Sequence, residues 1–581
     1  MVSQLKRAMK RITIIYNEKV ALSGIIFFFT LILFILSLIQ FSPPNPSPED
    51  APKDEFSARR AWKHLEFIAR DPHPSGSKRQ QEVYEYLIET LTSFGLKPET
   101  QSSSEYMSNN TLLKNILARI NGENPDGAII LIAHYDSETN APGATDDGSG
   151  VVSLLEVTRA LQISGPYKND IILLLTDAEE DGLVGARTFV KKHPWFKDVA
   201  FAINLEMATT IPVFIMGISS DNGWIIKQYS RSTTRPFASS ILSNAHSYLG
   251  YGDDLMPFLW ANIPGIGLST VHVFPEYHTK DDNLENADIR SIQHQGEQTL
   301  AFVKHLAQIE LADIKEKNRV NFNLWGPVFI HYPQSLVIPM TSITTLLLLA
   351  FLIYGFIKRK LRFRFVVFCA LLFLLGLFFI SLLISRLSEM MTLIIPRENF
   401  ESYSPHIKND QFFIFVFVLL AISLTLSLLA YFMKRTDYEN ILAAVMAVWL
   451  ICLWISSIIL PDSSYIFTWP LLFFIVFMFL DELLQDYVKK RKRGPYVSYI
   501  LRFTAVLPSL LLIVPLLYLF YLGTALEFVS LICAFTFLLI LLYLPLIKEL
   551  LSGKVRRILF VAISLTVLYF AGNMIYFYYF A

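Results

Sequence analysis

Apolar positions follow two different rhythms along this chain. Ala21 to Phe41 is an apolar run of 21 residues, enough at about 1.5 Å per residue to cross a hydrocarbon core of about 30 Å. A long polar stretch follows. Apolar segments then recur near 336–357, 365–385, 412–433, 441–460, 465–480, 503–521, 527–547 and 558–579, so the pattern predicts nine transmembrane helices. Between the first run and the rest the period is shorter. Helical spacing covers Ser57 to Ala69, Ser77 to Phe94, Gly150 to Gln162, Val184 to Lys192 and Asp288 to Leu311. Continuous apolar or β-branched runs at Leu112 to Ile120, Ala128 to Ala133, Ile171 to Leu175, Phe201 to Leu205, Val213 to Met216 and Ile266 to Leu268 read as strands. That alternation predicts an α/β layer fold, a mostly parallel central sheet flanked by helices. Ligands of such sheets bind beyond the carboxyl ends of the strands.

The boundaries expected from this pattern are a basic cytoplasmic segment (1–20), a transmembrane anchor (21–41), a Pro-rich linker (42–55), the α/β domain (56–312), a connector (313–335) and an eight-span transmembrane domain (336–581). Pro43, Pro44, Pro46 and Pro48 follow the first apolar run where a signal peptide would have small residues, so the anchor reads as uncleaved. The prolines also suggest a stiff spacer that holds the next domain off the bilayer.

Composition removes several classes. Of 581 residues, 53% are hydrophobic and 17% charged, against about 25% charged in soluble domains, which excludes a single soluble globule. With 14% aromatics and all three cysteines inside apolar runs, a disordered chain and a disulfide scaffold are excluded too. The zero net charge hides a division: residues 42–335 carry 37 acidic and 25 basic side chains, and the remainder 13 and 25. Of the outer 25 basic residues, 22 flank alternate span ends, and Arg386, Arg397 and Lys408 occupy the opposite loops. By the rule that short cytoplasmic loops are positive, the amino terminus is inside and residues 42–335 are outside. Ionisable residues within the spans look few, with Arg386 and Glu527 at span ends, so a transport path has no support.

The exported domain holds its unusual residues at strand ends. The run ending at Ala133 leads into His134-Tyr135-Asp136, followed by Gly143-Ala144-Thr145-Asp146-Asp147-Gly148-Ser149-Gly150 before a helix. The run ending at Leu175 leads into Thr176-Asp177-Ala178-Glu179-Glu180-Asp181-Gly182, and the one ending at Leu205 into Glu206. A later loop carries Tyr277-His278-Thr279-Lys280-Asp281-Asp282. Singly, these read as a surface turn, a helix N-cap and a solvated acidic pair. Jointly they bring several carboxylates to one sheet edge, where like charges repel unless protonated or bound to a cation. Imidazole and carboxylate without thiolate suits zinc or a similar divalent ion.

These residues resemble the zinc aminopeptidases of metallopeptidase family 28, a group that includes glutamate carboxypeptidases and glutaminyl cyclases. The likeness covers about residues 56–312, through His-x-Asp, Gly-Ala-x-Asp-Asp-x-Ser-Gly, Glu-Glu-x-Gly-Leu-x-Gly, Asn-Leu-Glu and Tyr-His-Thr in that order. The spans, together with Pro72-His73-Pro74-Ser75-Gly76-Ser77, resemble its membrane branch of endoplasmic-reticulum metallopeptidases and vacuolar membrane proteases. The resemblance implies two zinc ions bridged by Asp146, one also held by His134 and Glu206, the other by Glu180 and His278. It implies Glu179 as general base, Tyr277 as hydrogen-bond donor to the oxyanion, Asp136 as the carboxylate that orients His134, and a cis bond between Asp146 and Asp147. Asp254, in Asp254-Leu255-Met256-Pro257-Phe258, matches a family motif whose role the sequence does not supply. Glu206 departs from the Asp found in many soluble members, and the other nine histidines lack a partner motif.

The expected activity is therefore a membrane-bound zinc exopeptidase, most simply an aminopeptidase, with peptide substrates, the lipid bilayer as partner and no nucleic acid. A glutaminyl cyclase shares the ligand order but uses one zinc, and the complete Asp146-Asp147-x-Ser149-Gly150 pattern favours the peptidase. A transporter or receptor with a peptide-binding ectodomain would have lost the base or a ligand, and none is lost. The exported domain has no cysteine, which tilts toward a bacterial cell membrane over a eukaryotic endomembrane. In the latter, Asn109-Asn110-Thr111 would be a glycosylation acceptor.

Overall fold

A computed structural model describes residues 24–25, 28–103, 112–250, 252–271, 276–312, 314–394, 410–488, 496–524, 526 and 528–548. The chain divides into two compact units, and one runs from Gln40 to Gln334.

In that unit seven strands form one sheet: β1 (Glu99–Ser103), β2 (Leu113–Ile120), β3 (Ala128–His134), β4 (Asp170–Thr176), β5 (Val199–Leu205), β6 (Phe214–Ile218) and β7 (Gly265–Ser269). Their spatial order is β1-β2-β4-β3-β5-β7-β6. The four central strands are parallel, whereas β1, β2 and β6 run antiparallel to their neighbours. The sheet is thus mixed rather than mostly parallel. The reason is local: a crossover helix needs a dozen or more residues, and nine residues separate β1 from β2 and eight separate β5 from β6. Every residue of β3 and β4 is buried, as expected of strands covered on both faces. One face packs on α1 (Ala58–Ile68), α2 (Lys78–Ser93), α3 (Gly148–Ser164) and the long α4 (Ile289–Leu306) through a core that includes Leu65, Leu87, Leu131, Leu155 and Phe302.

The Pro-rich stretch is not a free spacer. Gln293 of α4 accepts from the Ser47 amide at 2.8 Å, and the Arg60 guanidinium donates to the carbonyls of Glu49 at 2.8 Å and Ala51 at 3.0 Å. Ser57 donates to the Ser47 and Pro48 carbonyls. The expected connector also carries structure: β8 (Arg319–Trp325) and β9 (Val328–Pro333) form a hairpin, and Asn323 bonds the Ala238 amide and the Pro236 carbonyl. Both segments therefore belong to the same compact unit as the domain they were expected to flank.

The second unit is helical. Among the described residues six helices are long and apolar enough to cross a membrane: Gln334–Ile357, Phe363–Met391, Phe412–Phe432, Tyr438–Ile459, Tyr465–Tyr487 and Tyr496–Gly523. The first predicted span is a helix over Phe28–Ile39 among the described residues, and the predicted span 527–547 contains a 14-residue helix, Val529–Leu542, followed by a short one, Leu544–Ile547. The ninth, 558–579, lies outside the described residues, as do Glu527, the Asn109-Asn110-Thr111 sequence and the basic residues 489–493. One feature escaped the sequence reading. Asp481 and Arg502, on successive long helices, form a buried ion pair at 2.9 Å, 1% and 7% exposed.

Candidate metal centre

The parallel core of the sheet brings the sequence-predicted residues together. Ile132 of β3 is in register with Asn204 of β5, so His134 and Glu206, each two residues further on, leave the sheet side by side. His134 also pairs with Thr176, after which Asp177 and Ala178 turn the chain into Glu179 and Glu180. Ala178 has φ 60° and His278 φ 57°, a left-handed backbone that costs strain in a non-glycine residue and clusters at functional sites. Asp146 lies just before α3, and its bond to Asp147 is cis.

Asp146 stands between two imidazoles. Its Oδ1 is 3.2 Å from His134 Nε2 and its Oδ2 is 3.0 Å from His278 Nε2. Glu206 Oε2 is 3.9 Å from His134 Nε2, and Glu180 Oε2 is 3.2 Å from His278 Nε2. Ligand atoms of His134, Asp146 and Glu206 lie within 4.8 Å of one another, and so do those of His134, Glu179 and Glu180. Tyr277 stacks on the His278 ring with centroids 3.7 Å apart. Asp147 caps α3, accepting from the Gly150 amide at 3.0 Å. A Cβ on Gly150 would meet that carboxylate at 2.4 Å, so the position needs glycine.

The electrostatics are those of crowded carboxylates. Burial, reinforced by Asp146, pushes the Glu180 carboxyl up to about 7. Glu179 and Glu206 are raised as well, first by burial and then by neighbouring carboxylates, against the pull of His134. Burial disfavours the Asp146 anion, but the hydrogen bonds to His134 and His278 outweigh it and hold the carboxyl below its usual range. Burial alone would lower both imidazoles. Bonds to Asp136 and Asp146 keep His134 raised, and those to Asp146 and Glu180 lift His278 to about 10. Burial and the same carboxylates hold the Tyr277 phenol protonated, hence a donor.

Two imidazoles, several carboxylates and no thiol form a donor set that fits zinc. Glu180 Oε1, within this cluster, is buried without a hydrogen-bond partner. An orphaned oxygen amid like charges is what a cation would satisfy.

Several supporting contacts, some from residues the sequence had already singled out, hold the site in place. The Asp136 carboxylate, expected only to orient His134, is 3.6 Å from His134 Nδ1 and also accepts from the amides of Glu179 at 3.1 Å and Glu180 at 3.3 Å. Asp282 accepts from the amides of Thr145 at 2.8 Å and Asp146 at 3.1 Å, so it ties the loop of His278 to that of Asp146. Asp177 accepts from Ser75, Gln80 and the Lys114 amide. His73 exchanges bonds with Ser137, and with the Ser75 contact this places the Pro72–Ser77 segment behind two site loops. Asp254 is fully buried, accepts from the Thr176 hydroxyl and leaves Oδ1 without a partner. Glu138 lies 3.8 Å from His278 Nδ1. Apart from the Asp136–His134 pair, these contacts join residues far apart in the chain or use backbone amides, which no local spacing reveals.

Comparison with known proteins bears on this geometry. Residues 115–303 match the profile of peptidase family M28, whose members are zinc-dependent. The vacuolar membrane protease of Candida albicans is 33% identical over 322 residues, 52% of this chain and 37% of that protein. Endoplasmic reticulum metallopeptidase 1 of Mus musculus is 29% identical over 315 residues, 48% of this chain and 34% of that protein. The chain thus spans about a third of the length of these relatives. Glutaminyl cyclases and zinc aminopeptidases both occur among similar solved structures. A zinc aminopeptidase from Bacillus subtilis is 16% identical, with 46% of this chain and 99% of that one covered at a TM-score of 0.37, too partial an overlap to carry an argument. With its long apolar helices the chain is an integral membrane protein. The tilt toward a bacterial membrane finds no support in these fungal and mammalian relatives.

Proposed function

We propose that the peptidase family M28 domain of this chain makes it a membrane-bound zinc exopeptidase, an aminopeptidase that acts on peptides in the extracytoplasmic space through two co-catalytic zinc ions. The observation that carries this reading is the Asp146 carboxylate with one oxygen toward each of two imidazoles, 3.2 Å and 3.0 Å away. His134, Asp146 and Glu206 would hold one ion, and His278, Asp146 and Glu180 the other. Bound zinc would supply Lewis acidity, lowering the pKa of a water and polarising the scissile carbonyl.

The chain's own residues supply the proton traffic. Glu179, adjacent to the proposed ligand Glu180, accepts the proton of the attacking water and returns it to the leaving amine. Tyr277 donates its phenolic hydrogen to the developing oxyanion. Asp136, which accepts from the Glu179 and Glu180 amides, fixes where those two carboxylates start. Asp147, as the cap of α3, anchors the backbone that presents Asp146.

The positive-inside distribution supports an orientation with nine spans, the amino terminus in the cytoplasm and residues 42–335 outside. A cysteine label in 489–493 would then react only after permeabilisation, and labelling of intact cells would reverse the orientation.

Activity is tested on a panel of aminoacyl-nitroanilides with the detergent-solubilised full chain, zinc added or chelated. We expect hydrolysis that is lost on chelation and falls about 10²- to 10⁴-fold in Glu179→Gln with zinc still bound. Cyclisation of a Gln-led peptide by a chain holding one zinc would replace the peptidase by a cyclase. Failure to bind zinc would leave a binding module.

A further inference from the structure

We propose that Glu138 is the positioning residue for His278, so that one short loop after β3 orients both imidazoles, His134 through Asp136 and His278 through Glu138. The proposal rests on the metal reading above and concerns how the second ion position is tuned.

In both rings Nε2 faces Asp146, at 3.2 Å from His134 and 3.0 Å from His278. In both, Nδ1 then faces a carboxylate from that loop: Asp136 Oδ1 at 3.6 Å and Glu138 Oε1 at 3.8 Å. Glu138 is not a loose surface side chain. Its Oε2 accepts from the Thr139 amide at 3.0 Å, which leaves Oε1 toward the ring, and its carbonyl accepts from the Ala141 amide at 3.2 Å in the following turn. The side chain is 26% exposed and His278 14%. The separation of 3.8 Å is a charge-pair distance rather than a hydrogen bond, so the effect is electrostatic. A carboxylate beside Nδ1 favours the tautomer with hydrogen on Nδ1 and the lone pair on Nε2, the nitrogen that faces Asp146 and Glu180. His134 draws in addition on the Asp136 carbonyl, 3.1 Å from its Nδ1. The charge of Glu138 therefore acts on one side of the site.

The test is a zinc titration of the chelated, detergent-solubilised full chain against a competing chelator dye, with Glu138→Gln and Glu138→Asp beside the wild type. We expect two zincs per wild-type chain. In Glu138→Gln one binds within twofold of its wild-type affinity and the other about tenfold more weakly. Glu138→Asp, which keeps the charge, stays within threefold for both. The melting temperature of the zinc-free protein is unchanged, because Glu138 sits at the rim. Wild-type affinity for both ions in Glu138→Gln overturns the proposal, and so does equal weakening of both. Complete loss of one ion would make Glu138 a ligand, which its position within 4.8 Å of Glu180 and His278 ligand atoms permits, and would also overturn the positioning role. A raised KM at saturating zinc with wild-type zinc affinity would make it a substrate contact instead. A wild-type chain that takes up no zinc ends the metal reading itself.

Discussion

The candidate metal centre and a polar cluster of the helical unit bury charge in opposite ways. At the candidate site in the Gln40–Gln334 unit, buried charge is crowded and of one sign: Asp146, Asp147, Glu206 and Asp254 are all under a tenth exposed and lie with Glu179 and Glu180 around two imidazoles, whereas elsewhere in that unit the buried Glu156 is matched by Arg60 and Arg159. In the helical unit the buried Asp481–Arg502 pair is matched. Asp481 receives Arg502 at 2.9 Å, Gln485 at 2.9 Å and the Ser498 hydroxyl, so each oxygen is satisfied. The half-buried Lys360 also meets Asp486 at 2.8 Å and Glu482. Charge that balances itself needs nothing from outside, whereas charge that does not is held in waiting for a cation. The difference separates a candidate site from structural polarity more sharply than burial does, since both clusters are buried.

The largest effect that would sharpen the comparison comes from the centre of the unbalanced cluster. Asp146→Ala removes the one carboxylate that faces both imidazoles, so both zincs should be lost together and hydrolysis with them. Metal content per chain checks this, and a full pair retained by the variant would deny Asp146 a shared position.

A smaller effect follows from pH. In the zinc-free domain Glu180 is raised from 4.5 to about 7, Asp282 from 3.8 to about 7, in each case by burial first, and His278 from 6.5 to about 10. For a group raised on folding, the stability it contributes is complete below its unfolded pKa and is lost as pH rises through its folded one. The zinc-free domain should therefore weaken from about pH 4 upward, through 7 and toward 10. Zinc, which replaces those protons, should raise the melting temperature more at pH 8 than at pH 5.5. Equal increments at the two pH values would mean that the carboxylates are not competing for protons, and the crowding argument would fail.

How much of this was legible beforehand depends on range. Sequence spacing placed every central strand, because wholly apolar runs such as Ile129 to Ala133 announce burial on both faces. His134, Asp146, Glu179, Glu180, Glu206 and His278 were legible because strand ends converge and because the order of motifs resembles a known family. Asp282 and Glu138 were not, since their signal is a contact across the fold: 136 residues separate Asp282 from the Asp146 amide it accepts from. The direction of β1, β2 and β6 was missed for a related reason, as apolar content reports burial and not strand polarity. The Asp481–Arg502 pair was missed because a span is scored one helix at a time, and Asp481, with Glu482 and Asp486, and Arg502 each sit near the end of a different helix.

That pair tests the comparison from its balanced side. Arg502→Ala strands a buried carboxylate and should destabilise the helical unit by about 3–5 kcal/mol, read as a lower melting temperature in detergent. Hydrolysis per folded chain should not change. Replacing both partners, Asp481→Leu with Arg502→Leu, removes the desolvation cost together with the attraction. A buried pair exchanged for apolar residues of similar size is often neutral or stabilising. The double variant should therefore melt within about 1 kcal/mol of the wild type, the loss of Gln485 and Ser498 partners being of that order. If the double variant is as damaged as the single one, the carboxylate or guanidinium is serving a third group. The helical unit would then hold a polar site of its own, and matched charge would no longer distinguish scaffold from site.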